Sequence, residues 1–202
     1  SQISHLGIKT YVYQSNLLDE ESSKNFINSV LKLNIEISGI VNATTVPIPS
    51  ISFNNLDWSH FKTQIEMNIK VNFNIVNGFL PIFEKSKNGR FVFISTQYTD
   101  SPISDMSHYI TAKSALNGFV KSLAYEYASK NIYFNMVSPS MIDTDLVADI
   151  PHKYKLLLQA KNPMKRLCTV SDVARAVVFL ISDQTGFITG ETIRINGGLI
   201  MI

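Results

Sequence analysis

The sequence predicts an α/β protein with a doubly wound parallel sheet, and three observations predict it. Short β-branched runs alternate with longer stretches of helical spacing from end to end. No internal repeat, low-complexity tract or linker interrupts the alternation, so residues 1–202 read as a single domain. Composition is that of an ordinary globular chain, 45% apolar and 17% charged.

Five runs have strand character: Lys9-Thr-Tyr-Val-Tyr13, Ile37 to Val41, Arg90 to Ile94, Ile132 to Val137 and Thr192 to Ile195. Between them, Asp19 to Leu33 opens with acidic residues that suit a helix N-terminus. Asp57 to Glu84 reads as one long helix or two pieces. Ser107 to Ser129 carries Ala115, Phe119, Leu123 and Tyr127 at helical intervals. A further helix is expected over Val173 to Ile181, with Ser171 as its N-cap. Asp145 to Arg166 is amphipathic but poorly periodic and contains Pro151 and Pro163; it reads equally as a substrate lid and as a static surface helix pair.

Charge and cysteine usage narrow the function classes. Eighteen basic against sixteen acidic side chains leave a formal charge of +2, and the basic residues are scattered, which is no footprint for nucleic acid. The single cysteine, Cys168, excludes an internal disulfide and a cysteine-rich zinc site, and reads as a packed small apolar residue. The histidines, His5, His60, His108 and His152, show no metal-ligand spacing, so no metal is expected. The amino-terminal residues lack an apolar signal core, and the apolar runs are too short for a membrane span. A cytoplasmic protein without a membrane partner is the expectation.

The strongest chemical signal is Tyr109-Ile-Thr-Ala-Lys113. Positions i and i+4 share a helix face, so the phenol and the ammonium can serve one site. Lowering a tyrosine pKa by two or three units takes ~3–4 kcal/mol, within reach of a close cation. Tuned so, Tyr109 can exchange a proton with a carbonyl or alcohol oxygen. The spacing alone is weak, since 8 tyrosines and 14 lysines in 202 residues produce it by chance ~0.5 times.

Context adds weight. Gly89-Arg-Phe-Val-Phe-Ile-Ser-Thr96, Tyr109 to Lys113 and Asn131 to Leu146 together resemble the centre of a classical short-chain dehydrogenase/reductase. So do Asp57-Trp58 with Glu66-Met-Asn68, Asn162-Pro-Met-Lys-Arg-Leu167 with Ser171-Asp-Val-Ala174, and Ile188 to Gly198. In register these segments cover nearly the whole chain from Lys9 onward and look most like 3-oxoacyl-carrier-protein reductases. The resemblance implies a Rossmann-like sheet with NAD or NADP as cofactor. It also implies Tyr109 as acid/base, with Lys113 lowering its pKa and holding the nicotinamide ribose. Asn68 would position a water that relays protons to Lys113. Thr96 stands thirteen residues before the tyrosine, where the family has its catalytic serine; threonine keeps the hydroxyl. Neighbouring Ser95 is expected to point the opposite way. Asn16 and Leu17 occupy the adenine-contacting positions, Asn42 the adenine-ribose side, and Pro139, Ile142 and Thr144 the nicotinamide loop.

The chain departs from the family in several places. No Gly-x-x-x-Gly-x-Gly stretch occurs in the sequence, whereas the family holds pyrophosphate on such a turn. Ser1 to Gly7 resembles the end of the family's second or third helix and Lys9 to Tyr13 its third strand, which makes the first βαβ portion missing or rebuilt. Asn42-Ala-Thr-Thr45 keeps only the first residue of the family's Asn-Asn-Ala-Gly, and Ser140 stands where Pro-Gly is usual.

Two readings follow. One is an NAD(P)-dependent ketoreductase or alcohol dehydrogenase acting on a small carbonyl or alcohol, with an acyl thioester among the compatible substrates. The other is a non-catalytic subunit or binding module of the same family that has lost cofactor binding. A homodimer or homotetramer is expected for either, paired through the helices around Asn68 and Tyr109.

Overall fold

The computed structural model describes residues 7–202. Four strands form one parallel sheet in chain order: β1 (Gly39–Asn42), β2 (Gly89–Ile94), β3 (Ile132–Pro139) and β4 (Thr192–Ile195). Helices α1 (Glu20–Leu31), α2 (Trp58–Ile65), α3 (Val71–Ser86), α4 (Ser107–Tyr127), α5 (His152–Lys161) and α6 (Val170–Ile181) complete the fold. Each parallel crossover needs an intervening helix, which is why the two periodicities alternate along the chain.

Side-chain alternation along the strands builds two apolar layers. Phe91, Phe93, Phe134 and Met136 face α1, α3 and α4, meeting Ile27, Phe79, Phe83, Leu116 and Val120. Phe91 stacks on its cross-strand partner Phe134, with ring centroids 4.8 Å apart. Val92 and Val137 face the other way, against Val173 and Leu180 of α6. Both faces are covered, as a parallel sheet requires.

Three expectations need correction. Lys9 to Tyr13 runs extended but forms no ladder among the described residues, and Val12 is 81% exposed. A strand exists only where a neighbour takes its backbone groups, and none of the four strands pairs with this segment. β1, correspondingly, pairs only with β2. Second, α6 begins at Val170 and is capped by Thr169, not Ser171. Thr169 has an acidic residue three positions on: its hydroxyl accepts from the Asp172 N–H at 3.1 Å, and the Asp172 carboxylate accepts from the Thr169 N–H at 2.9 Å. Ser171 has Ala174 at that offset and cannot close such a box. Third, the strand expected over Ile37 to Val41 starts two residues later, at Gly39.

Asp57 to Glu84 resolves into α2 and α3 joined by a π-helical turn, Glu66–Lys70. The region from Asp145 to Arg166 contains α5, none of whose residues is buried. The resemblance of Ser1 to Gly7 to a helix end falls, apart from Gly7, outside the described residues. No helix among the described residues is long and apolar enough to cross a membrane.

Candidate active site

In a parallel sheet the carboxyl ends of the strands open toward the loops, and ligands of this architecture bind there. β1 ends on Asn42 and β3 on Pro139, Thr96 follows β2, and α4 carries Tyr109 and Lys113. The structure therefore brings Thr96, Tyr109 and Lys113 together at one end of the sheet, all buried.

Burial sets their electrostatics. The Lys113 ammonium is 6% exposed and donates to the Ile94 carbonyl oxygen at 2.7 Å. Desolvation lowers its pKa to about 8. The Tyr109 phenol is pushed up to about 12, chiefly by desolvation, with the Thr96 hydroxyl opposing the rise and Tyr98 adding to it. Lys113 lies 5.9 Å from the Tyr109 ring centroid. The phenol is therefore protonated at neutral pH, in contrast to the lowered pKa expected from the Tyr–Lys spacing.

Thr96 and Ser95 both turn toward α4 but meet different residues of it. Ser95 continues the β2 ladder, its N–H donating to the Val137 carbonyl at 2.8 Å, and its hydroxyl turns toward Asn117 of α4. Thr96 leaves the strand, caps the 3₁₀ turn Gln97–Thr99 and faces Tyr109.

Asn68 sits in the π turn, 3% exposed, with its Nδ2 donating to the Gln64 carbonyl at 2.9 Å. A π turn inserts one extra residue into a helix and re-aims the side chains around it. Asn42 is buried at the end of β1, its Oδ1 accepting from the Thr44 N–H and hydroxyl at 3.0 and 2.8 Å. Ser140 donates its N–H to Ile195 at 3.0 Å and has a negative φ, so serine serves where glycine is usual. Ile142 is bridged to Cys168 in parallel, which anchors the loop carrying Ile142 and Thr144, both half-buried. Burial raises the Cys168 thiol, in keeping with a packed residue.

Of the two positions that the resemblance gives to adenine, Asn16 is exposed and Leu17 half-buried at the entry to α1. The Asn16 Oδ1 accepts from the Leu18 N–H at 3.2 Å, so part of its capacity is spent locally. His108 is wholly buried beside Tyr109 with neither ring nitrogen hydrogen-bonded, and burial lowers its pKa. Among the described residues no cluster of three metal-ligating side chains occurs.

Sequence reasoning missed Asn72, which hydrogen-bonds both Asn42 and Asn68. The available signal was a polar residue on the otherwise apolar stripe Val71, Ile75, Val76, Phe79. It also passed over Tyr98 as an individual residue, whose phenol is raised by burial and by nearby Tyr154 of α5.

A nicotinamide ribose fits this site. An ammonium carries three donors, and among the described residues the buried Lys113 makes one hydrogen bond, to Ile94, leaving the others for ligand hydroxyls.

The sequence pattern of the family described as enoyl-(acyl carrier protein) reductase matches residues 2–200. The chain is 33% identical over 189 residues to a 3-oxoacyl-[acyl-carrier-protein] reductase of Rickettsia conorii, covering 93% of this chain and 76% of that protein. It is 31% identical over 195 residues to the enzyme of the same name from Aquifex aeolicus, covering 96% and 77%. Among solved structures, a tyrosine-to-phenylalanine variant of ElxO with NADPH bound superposes with a TM-score of 0.88 at 27% identity, covering 98% of this chain and 83% of that one. With a buried Tyr–Lys pair beside a strand-end hydroxyl, and with likeness along almost its whole length, the chain belongs to the classical short-chain dehydrogenase/reductases, a family of NAD(P)-dependent oxidoreductases.

Proposed function

We propose that the protein reduces a carbonyl to an alcohol, with Tyr109 as the general acid and NADPH or NADH as the hydride source. The observation that carries this reading is the buried cluster of Tyr109, Lys113 and Thr96 at the carboxyl end of β2. A bound nicotinamide supplies hydride to the carbonyl carbon. The Thr96 hydroxyl donates to the substrate oxygen and holds it against Tyr109. The phenol, protonated at neutral pH, transfers its proton to that oxygen as negative charge develops there. Lys113 holds the ribose hydroxyls, and its charge stabilises the tyrosinate left behind. Asn68 positions the water that returns a proton through Lys113. Asn42, Asn16 and Leu17 line the adenine-ribose side; Pro139, Ile142 and Thr144 line the nicotinamide side.

The favoured substrate is a 3-oxoacyl thioester, in keeping with the names of the Rickettsia conorii and Aquifex aeolicus reductases. We also propose a homo-oligomer paired through α2, α3 and α4. Trp58 and Phe73 on these helices are 72% and 55% exposed, large apolar groups that a second subunit would cover.

The test is oxidation of NADPH and NADH, followed by absorbance, with a short 3-oxoacyl thioester as substrate and Tyr109→Phe as control. Turnover abolished by the substitution supports the reading. Absence of nicotinamide binding by the folded chain supports instead a non-catalytic relative.

A further inference from the structure

Asn72 lies on the buried stripe of α3 between Val71 and Ile75, where an apolar side chain would pack without needing partners. Its amide instead has a partner at each end. Asn72 Oδ1 accepts from Asn42 Nδ2 at 2.6 Å, and Asn72 Nδ2 donates to the Asn68 carbonyl oxygen at 2.7 Å. Asn42, Asn68 and Asn72 are 7%, 3% and 4% exposed, so neither bond competes freely with water.

The bond to Asn68 lies on the π turn. There the ladder is re-registered, the Val71 N–H reaching back to the Glu66 carbonyl. A side-chain donor on the Asn68 carbonyl supports the turn that aims the Asn68 side chain. At the other end, Asn42 is tied to the Thr44 N–H and hydroxyl. A second strut runs in parallel: Gln64 Nε2 donates to the Pro47 carbonyl at 3.1 Å, and Asn68 Nδ2 donates to the Gln64 carbonyl. The loop from Asn42 to Pro47 is thereby roped to the Asn68 turn on both sides, and Asn72 is the side chain that bridges them from within α3.

We infer that Asn72 is a positioning residue that couples the loop after β1 to the π turn of Asn68, so that occupancy of the cofactor crevice and the aim of Asn68 are set together. The inference rests on the reading of Asn68 as a relay residue. In this chain Asn42 is followed by Ala43, Thr44 and Thr45, and the link through Asn72 holds that altered loop in place.

The experiment compares the wild-type chain with Asn72→Val, Asn72→Ser, Asn42→Ala and the Asn42→Ala/Asn72→Val pair. Amide hydrogen exchange is read over residues 42–47 and 64–72, with and without NADPH, beside NADPH affinity and the pH profile of kcat and KM. Serine can still back-bond to the Asn68 carbonyl but is too short to reach Asn42. It therefore separates the two links if the valine variant folds poorly.

Coupling predicts faster exchange in both segments of Asn72→Val and unchanged exchange in the middle of α4. It predicts NADPH affinity about 5–10-fold weaker and a double variant no worse than the worse single. In Asn72→Ser only the 42–47 segment loosens. Unchanged exchange in residues 42–47 of Asn72→Val, or strictly additive losses, overturns the inference. Asn68→Ala is the separating control. A kcat defect there without one in Asn72→Val sinks the positioning role alone. No defect in Asn68→Ala sinks the relay reading, and the exchange data still decide the coupling.

Discussion

Lys113 Nζ is hydrogen-bonded to the Ile94 carbonyl oxygen at 2.7 Å, which fixes the ammonium against the end of β2 while its helix carries Tyr109 one turn away. One backbone contact thus locks the cation to the strand from which Thr96 emerges. Lys113→Met removes both the charge and this lock. Turnover is expected to fall ~10²-fold or more, in line with loss of a group that stabilises transition-state charge. NADPH affinity should fall with it. A variant that binds and turns over normally would show that the lysine is only structural.

The same residue leaves a signature in stability. The unfolded lysine titrates near 10.5 and the folded one near 8, so between these values the unfolded chain holds the extra proton and stability rises with pH. Lys113→Met should lack that rise. Tyr109 has the opposite sign: its folded pKa of about 12 lies above the ordinary tyrosine value of 10.0, so its contribution is complete below pH 10 and is lost as pH climbs toward 12. Urea unfolding of wild type and Lys113→Met from pH 7 to 10 reads the first effect. Parallel curves for the two proteins would refute it.

Thr96 and Ser95 meet different residues of α4 where β2 ends, and only Thr96 faces Tyr109. Thr96→Ser retains the hydroxyl and should keep kcat within a few-fold of wild type. Thr96→Ala should cost ~10–10³-fold, the range for one donor to a developing oxyanion. Ser95→Ala should leave kcat nearly unchanged. Tyr109→Phe should cost ~10²–10⁴-fold through loss of the proton donor. Steady-state kinetics on the four variants separates these roles, and a Ser95→Ala defect matching that of Thr96→Ala would reverse the assignment.

Much of this arrangement was legible in sequence, and the residues explain why. The β2 and β3 runs are rich in β-branched and aromatic residues and buried on both faces, so local pattern and tertiary environment agree, and the observed bounds of β2, β3 and β4 differ from those expected by at most two residues. Tyr109 and Lys113 share a helix face by spacing alone. Lys9 to Tyr13 has the same local pattern, but a strand is a pairwise object and its neighbour is not written in its own residues. The π turn at Asn68 was equally hidden, because one inserted residue shifts the phase without changing composition. Asn72 escaped notice because its partners come from Asn42, thirty residues earlier, and from a backbone carbonyl. The rise of the Tyr109 pKa depends on how little water reaches the buried phenol, which no local pattern encodes.

The α6 cap offers a test away from the chemistry. The Thr169 hydroxyl accepts from the Asp172 N–H, and the Asp172 carboxylate accepts from Thr169 and pairs with Arg166. These contacts hold the Asp172 carboxyl well below the usual carboxylate range. Thr169→Ala removes the cap and should cost ~1 kcal/mol of stability, whereas Ser171→Ala, one turn position inside the helix, should change it by less than ~0.5 kcal/mol. Because the Asp172 pKa is depressed on folding, its contribution is present above the unfolded carboxylate range and fades as pH falls below it. The Thr169→Ala penalty should therefore shrink in strong acid. Thermal unfolding of both variants at neutral and acid pH decides the point: equal penalties for Thr169→Ala and Ser171→Ala at neutral pH would return the cap to Ser171.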